Sequence, residues 1–392
     1  MFRARIANVA DLERRARQRM PRFAYNYLTG GAGDSASTHR NRRALQEMVF
    51  ATRRLVGADI RTEVKLFGQE YSAPLGVAPL GMANVAWPGL DLMLARSARE
   101  ARLPFVLSTM ATTTIEAAAE AAEECFWFQL YIAKSDEITF GLIDRAREAG
   151  TDVLVLTVDV PAPSRRNASI RDGFELPLRY TPRLLADLAL HPRWSIQTLL
   201  AGAPLMRNYA AYAKSENTQK VGAFAGKRNK FGTTWDDFKR IREAWQGRLV
   251  IKGISNGEDA ARAVREGADA VWVSNHGGRQ LESSPATVDL LPAVRAATPD
   301  NVPVFFDGGV RGGEDIVKGT ALGADMVFAG RSFAYAGAAG GQAATTQCME
   351  ILIAEMRSTM AQIGLHSPEA LRSAPVFFGQ EAERMVPGKA AE

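Results

Sequence analysis

Apolar and polar positions along this 392-residue chain change period repeatedly and in a regular order. Short apolar runs, rich in β-branched, aliphatic and aromatic residues, fall at Pro74–Pro79, Phe105–Thr109, Phe126–Tyr131, Val153–Asp159, Leu249–Ile254, Ala270–Asn275, Val302–Asp307 and Met326–Gly330. Bounded by Gly, Pro, Asn or Asp, such runs predict buried strands. Between them the period lengthens to that of amphipathic helices at Asp91–Ala101, Ile115–Glu124, Glu137–Ala149, Glu258–Glu266 and Glu314–Leu322. Eight strands alternating with helices predict an α/β fold, a (β/α)8 TIM barrel, with a doubly wound sheet as the alternative because alternation does not show closure. Gly267-Ala268-Asp269, Gly323-Ala324-Asp325 and the similar Gly150-Thr151-Asp152 read as glycine C-caps feeding the next strand, a regularity that favours the barrel.

The rest of the chain decorates this pattern. Residues 1–70 predict a helical N-terminal segment with a glycine-rich end, Thr29-Gly30-Gly31-Ala32-Gly33-Asp34. Gln342 to Gly364 predicts a closing helix, and 387–392 a loose tail. Residues 1–392 read as one barrel domain with an insertion at 160–235, too long for an ordinary strand-to-helix connection. The insertion carries apolar clusters at Leu184–Leu190 and Leu199–Met206, scattered arginines, and Trp194 and Tyr209 as amphipathic rings. That mixture suits a segment lying on an anionic membrane surface, and equally an active-site lid or a subunit contact.

Charge sharpens the reading of the insertion. Ten Lys/Arg and four Asp/Glu lie between Arg171 and Gly232, a local net of +6 against +5 for the whole chain. With the positive charge confined there and no nucleic-acid motif beside it, nucleic-acid binding is not expected. No apolar run is long enough to span a bilayer or to form a signal peptide's core, so a cytoplasmic protein is expected, peripheral on the inner membrane face at most. Cys125 and Cys348 form no disulfide or metal pattern, and no metal site is expected.

Function in a barrel sits where strands end, and here nearly every strand ends in chemistry. Ala270-Val271-Trp272-Val273 runs into Ser274-Asn275-His276-Gly277-Gly278-Arg279, which puts a proton acceptor and a carboxylate clamp three residues apart. Taken alone, such a histidine is more often a satisfied turn residue; the other strand ends weigh against that. They supply Pro79-Leu80-Gly81, Ser108, Gln129 and Tyr131, Thr157 and Asp159 with Arg166 soon after, and Lys252. Glycine-rich turns at Asp307-Gly308-Gly309-Val310-Arg311 and Gly330-Arg331 match the phosphate site of such barrels. A phosphate anchor beside donors for a flat heterocycle suggests flavin mononucleotide, although Lys252 alone would read as a core ion pair.

From about Asp11 to about Gly364 the chain resembles the FMN-dependent L-2-hydroxy acid dehydrogenases and oxidases, with Ser274–Glu282 and Asp307–Arg311 as the most specific motifs. The resemblance implies that His276 is the base and Asp159 orients it, with Tyr131 and Arg279 also in the catalytic set. It implies that Arg166, Arg279, Tyr27 and Tyr131 bind the substrate. It places Pro79, Leu80, Gly81, Ser108, Gln129, Thr157, Lys252, Ser274 and Asp307 around the flavin, with Gly309, Arg311, Gly330 and Arg331 at its phosphate. A homotetramer is also implied. Met110 stands where glycolate oxidases have tryptophan, and Pro163-Ser164 where they have Leu-Gly, so a 2-hydroxy acid larger than glycolate is expected. Gly81 and the stretch His191-Pro192-Arg193-Trp194-Ser195 resemble the membrane-associated mandelate and lactate dehydrogenases. That favours a quinone as electron acceptor, the alternative being a soluble oxidase that reduces oxygen to hydrogen peroxide. A barrel isomerase would lack the His276–Arg279 pair, and a surface-binding module without catalysis would have no use for it.

Overall fold

In the computed structural model, residues 5–57, 59–174 and 181–378 are described; the expected tail at 387–392 lies outside them. Eight parallel strands close in sequence order: β1 (Leu75–Val77), β2 (Phe105–Ser108), β3 (Phe126–Leu130), β4 (Val153–Thr157), β5 (Arg248–Ile254), β6 (Ala270–Val273), β7 (Val304–Asp307) and β8 (Met326–Ala329). Strands β8 and β1 pair directly, Val327 with Leu75 and Phe328 with Gly76, which excludes the open doubly wound sheet. Every expected strand and helix is present, with ends displaced by a residue or two. Gly150, Gly267 and Gly323 all have positive φ, as C-caps require.

The barrel floor is an aromatic plug. Trp127, Trp272, Phe305 and Phe328 are fully buried, and Trp272 stacks on Phe328 with ring centroids 4.0 Å apart. Gly76 has no side chain because a Cβ there would strike the Phe328 ring. Below the plug, a hairpin of Val64–Leu66 and Gln69–Tyr71 closes the barrel, and the Trp127 indole donates to the Tyr71 hydroxyl (3.3 Å). Polar side chains at the opposite ends of the strands are thus kept from solvent on one side.

The N-terminal helices Val9–Arg19, Arg22–Thr29 and Ala36–Glu47 lie against that opposite, C-terminal rim. The Ala32 N–H donates to the Gly278 carbonyl, and the Gly33 N–H to that of Arg165. The glycine-rich end expected from sequence therefore clamps the loops after β4 and β6. The closing helix, Gln342–Ile363, packs on helix Arg331–Gly340.

The insertion folds into short helices, among them Pro182–Leu190, Pro192–Ala201, Arg207–Ala213 and Thr218–Arg228. The expectation for its rings is corrected here. Trp194 is buried, with its indole donating to the Val85 and Ala86 carbonyls, and Tyr209 is fully buried. Both anchor the insertion to the barrel instead of facing outward. The outward apolar residues are Leu190, Leu199 and Leu200, at 78%, 82% and 82% exposure, with Leu185 and Ile196 beside them. Among the described residues no helix is long and apolar enough to cross a membrane.

The plug makes a stability prediction. Trp272→Ala is expected to cost about 3–5 kcal/mol in urea unfolding; a loss below about 1 kcal/mol would show that the floor tolerates a cavity.

Candidate active site

The turn after β6 is the most constrained backbone at the rim. His276 has φ +59, a left-handed conformation unusual for a residue with a side chain, and Gly277 and Gly278 follow at +63 and +77. Three contacts hold it there. The His276 N–H donates to Ser274 Oγ (3.0 Å), and the Asn275 amide exchanges two hydrogen bonds with the Asn41 amide (both 2.8 Å). A Cβ on Gly278 would lie 2.5 Å from the Thr38 nitrogen, so glycine is required for the N-terminal helix to approach.

This turn aims the imidazole into the rim. Nδ1 lies 3.0 Å from Asp159 Oδ1, which makes Nδ1 the protonated nitrogen and leaves the Nε2 lone pair facing the cavity. Tyr131 Oη is 3.4 Å from Nε2. Burial pushes the Asp159 carboxyl up, but the charge and hydrogen bond of His276 and the charge of Lys252 outweigh it and hold the group below its ordinary range. Burial and then the Asp159 charge push the Tyr131 phenol up, so it stays a donor. Space for Asp159 comes from Gly253, at φ +107 in a bulge of β5, where a Cβ would sit 2.6 Å from the Asp159 Cβ.

The second structural fact is a set of guanidinium groups without counterions. Arg166, Arg279, Arg311 and Arg331 all line one cavity of about 310 Å³, and among the described residues no carboxylate lies within ion-pair distance of any of them. Burial, then Arg166 and Arg331, lower the Arg279 pKa well below its usual value. Burial foremost lowers that of Arg331 to about 10. Arg166 Nε is buried without a partner. Arg279 donates to the Tyr27 and Gly30 carbonyls (2.9 and 2.8 Å), and Arg331 to those of Leu28 and Gly277 (3.1 and 2.8 Å). The Arg331 guanidinium is thus committed to the end of helix Arg22–Thr29. Toward an anion at the last glycine turn it offers its charge and the N-terminus of helix Arg331–Gly340.

The other strand ends offer donors for a planar ligand. Ser108 Oγ donates to Gln129 Oε1 (3.0 Å), which fixes that amide and leaves Gln129 Nε2 buried without a partner. Thr157 Oγ1 is likewise buried and unpartnered. Lys252 Nζ pairs with Asp307 (2.8 Å) and donates to Ser274 Oγ (2.6 Å), so the ion pair expected for Lys252 alone is real while the lysine still lines the cavity. Asp307 lines the cavity itself, whereas Ser274 acts on it through Lys252, and Ser274 Oγ also donates to Asp307 (2.7 Å). Pro79, Leu80 and Gly81 form one wall, and Tyr27 Oη donates to the Gly81 carbonyl (3.0 Å). Gly309 lines the cavity but is glycine for packing, since a Cβ would lie 2.7 Å from the Asn41 carbonyl oxygen. Orphaned donors, a lysine and uncompensated arginines together fit a flat heterocycle with acceptor atoms and an anionic tail, the chemistry of FMN.

All the residues expected from sequence converge on this cavity except Asp159 and Ser274, which stand behind His276 and Lys252. Val160, Met206 and Asn229 also line it and were not foreseen. Met206 and Asn229 lie in the insertion, where no strand end marks a side chain as inward-facing.

Residues 16–376 match the model of a family described as FMN-dependent dehydrogenase. The chain is 35% identical to the (S)-mandelate dehydrogenase of Pseudomonas putida over 377 residues, 96% of this chain and 94% of that protein. It is 37% identical to an L-lactate dehydrogenase of Xanthomonas euvesicatoria pv. vesicatoria over 365 residues, 92% of this chain and 94% of that one. A crystal structure of (S)-mandelate dehydrogenase, described as a monotopic membrane protein, superposes with a TM-score of 0.90 at 35% identity, covering 94% of this chain and 98% of that one. A crystal structure of mandelate oxidase superposes with a TM-score of 0.82 at 33% identity, covering 95% and 99%.

Two measurements probe the constraints on His276. Gly278→Ala should destabilise the protein by more than about 1 kcal/mol, and by more than Gly202→Ala, whose φ of +81 is similar but whose Cβ would meet open space. Equal losses would mean that the approach to Thr38 is not tight. Asp159, with a lowered folded pKa, adds stability above its unfolded value of about 3.9 that is lost as pH falls through the folded one. The difference in unfolding free energy between wild type and Asp159→Asn should therefore shrink on acidification below about pH 4; a constant difference would remove Asp159 from the ion pair.

Proposed function

This chain belongs to the FMN-dependent dehydrogenase family, and on that premise we propose that it oxidises an L-2-hydroxy acid larger than glycolate to the 2-oxo acid, passing the electrons to a quinone at a membrane surface. It is an oxidoreductase acting on CH–OH groups, and its cofactor is FMN. The observation that carries the reading is the pair of half-buried guanidiniums without a carboxylate partner, Arg166 and Arg279, lining one cavity with the Nε2 face of a carboxylate-backed histidine. A carboxylate neutralises the first, and a proton on the adjacent carbon or its hydroxyl meets the second.

Bound FMN supplies the two-electron acceptor. Pro79, Leu80 and Gly81 would flank its ring, and Ser108, Gln129, Thr157, Lys252 and Asp307 would hold the ring edge and ribityl chain, with Ser274 acting from behind Lys252. Arg311, Gly309, Gly330 and Arg331 would hold the phosphate. Arg166 and Arg279 orient the substrate carboxylate, with Tyr27 and Tyr131 on either side, and so confine the α-carbon to one position. His276 Nε2 takes the substrate proton, and Asp159 stabilises the resulting imidazolium through Nδ1. Lys252, held by Asp307 and Ser274, places positive charge where electron density accumulates.

Met110 beside Gly81 supports a substrate larger than glycolate, since a Cβ on Gly81 would meet only Met110 at 3.4 Å and Ser108 at 4.0 Å. The exposed leucines of helices Pro182–Leu190 and Pro192–Ala201, next to arginines 183 and 193, support membrane contact and hence a lipid-soluble acceptor. The mandelate dehydrogenase it resembles is described as monotopic, which agrees with that reading.

Three outcomes are expected. His276→Asn in the flavin-loaded protein should slow anaerobic flavin reduction by about 10²–10⁴ while FMN remains bound; a near-normal rate would mean that another group takes the proton. Replacing Leu190, Leu199 and Leu200 with serine should abolish co-sedimentation with vesicles containing anionic phospholipid, and substrate-reduced wild type should reoxidise faster with a short-chain quinone than with oxygen. Undiminished vesicle binding would sink the membrane contact, and faster oxidation by oxygen would identify an oxidase.

A further inference from the structure

The insertion contributes Met206 and Asn229 to the cavity, with Val160 at its start. Neither of the first two is a passing loop residue. Met206 is held by buried neighbours: Leu205 and Tyr209 are 4% and 0% exposed, and the Asn208 side chain accepts from the Ile115 N–H (3.1 Å) and from Arg145 (3.2 Å). Asn229 forms an antiparallel bridge with Ala133, just beyond β3. Its backbone is stitched on both sides, by the Lys134 N–H to the Arg228 carbonyl (2.6 Å) and the Lys230 N–H to the Ile132 carbonyl (2.9 Å).

The Asn229 side chain is 7% exposed, yet its Oδ1 is buried without a hydrogen-bond partner. A buried acceptor left without a donor is unfavourable, so the atom calls for a partner that a ligand can supply. Of the other orphaned atoms on cavity-lining residues, Gln129 Nε2 and Thr157 Oγ1 belong to strand ends, where a flavin ring would meet them, and Arg166 Nε belongs to the guanidinium assigned to the substrate carboxylate. Asn229 instead reaches the cavity from the same insertion as Met206. A flexible thioether and Val160 offer an apolar surface, and the amide offers one polar point in it.

We propose that Val160, Met206 and Asn229 form the subsite for the substrate's side chain, and that Asn229 recognises a hydroxyl at the far end of an apolar, ring-bearing side chain. A hydroxyl both donates to the amide oxygen and accepts from the amide nitrogen, so it satisfies Asn229 whichever way the amide is turned. A subsite holding a buried acceptor also rejects the analogue that leaves it unpaired. The inference rests on the reading of the protein as a 2-hydroxy acid oxidoreductase and names the class of acid.

The test uses flavin-loaded protein, mixed anaerobically with two matched pairs: (S)-mandelate with its 4-hydroxy derivative, and L-3-phenyllactate with its 4-hydroxy derivative. Apparent Kd and the rate of flavin bleaching are read for each. In wild type the hydroxylated member of at least one pair should be favoured about tenfold or more, and Asn229→Leu, or Asn229→Ala, should bring that ratio to about one. Bleaching without hydroxyl preference in either pair, or a preference that survives both substitutions, overturns the subsite alone. So does a uniform loss across all four acids accompanied by a shifted flavin spectrum, which would place Asn229 on the flavin. If no acid of any kind bleaches wild type, the 2-hydroxy acid reading falls first and this inference with it.

Discussion

Positive charge gathered in one cavity without a negative partner governs this site. Four guanidinium groups line one cavity, and none has a carboxylate among the described residues. Like charges drawn together and partly out of water repel and are poorly solvated, so such a cluster persists only if its surroundings hold it and a ligand neutralises it. The surroundings are the carbonyls at the end of helix Arg22–Thr29, which accept from Arg279 and Arg331 together. The ligands implied are two anions of different shape, the phosphate of FMN and the carboxylate of the substrate.

The same helix end explains why the N-terminal segment is integral to the barrel. Through Ala32, Thr38 and Asn41 it holds the turn of Gly277 and Gly278 against the rim, and through Gly33 it reaches the loop carrying Arg166. A histidine with left-handed backbone is retained because Ser274, Asn275 and Asp159 each fix a different part of it. Ser274 is shared by the His276 N–H, Lys252 and Asp307, so the histidine turn and the lysine ion pair are mechanically one network.

How much of this is legible in the chain follows from period and from strand ends. The strands are short apolar runs buried on both faces, and such runs announce themselves. Once the barrel is assumed, the C-terminal ends of the strands and the turns that follow them are at the rim, and this places His276, Lys252, Gln129 and Thr157 without any further information. Three things escape that logic. The bulge at Gly253 leaves no periodic trace, although it makes room for Asp159. The outward or inward direction of Trp194 and Tyr209 depends on where short helices dock, and amphipathic rings read from composition turned out to be anchors. Met206 and Asn229 reach the cavity from an insertion whose path no local pattern encodes.

The claim on which everything else stands is that this cavity removes a proton and two electrons from an L-2-hydroxy acid clamped by Arg166 and Arg279. Its most direct test is an anaerobic titration of the flavin-loaded protein with the separate enantiomers of lactate and mandelate, followed by visible absorbance and analysis of the organic product. The account predicts bleaching of the flavin by an L (S) enantiomer with one 2-oxo acid formed per flavin, and no bleaching by its mirror image. Flavin that stays oxidised with every L acid, or that bleaches equally with both enantiomers, would contradict it.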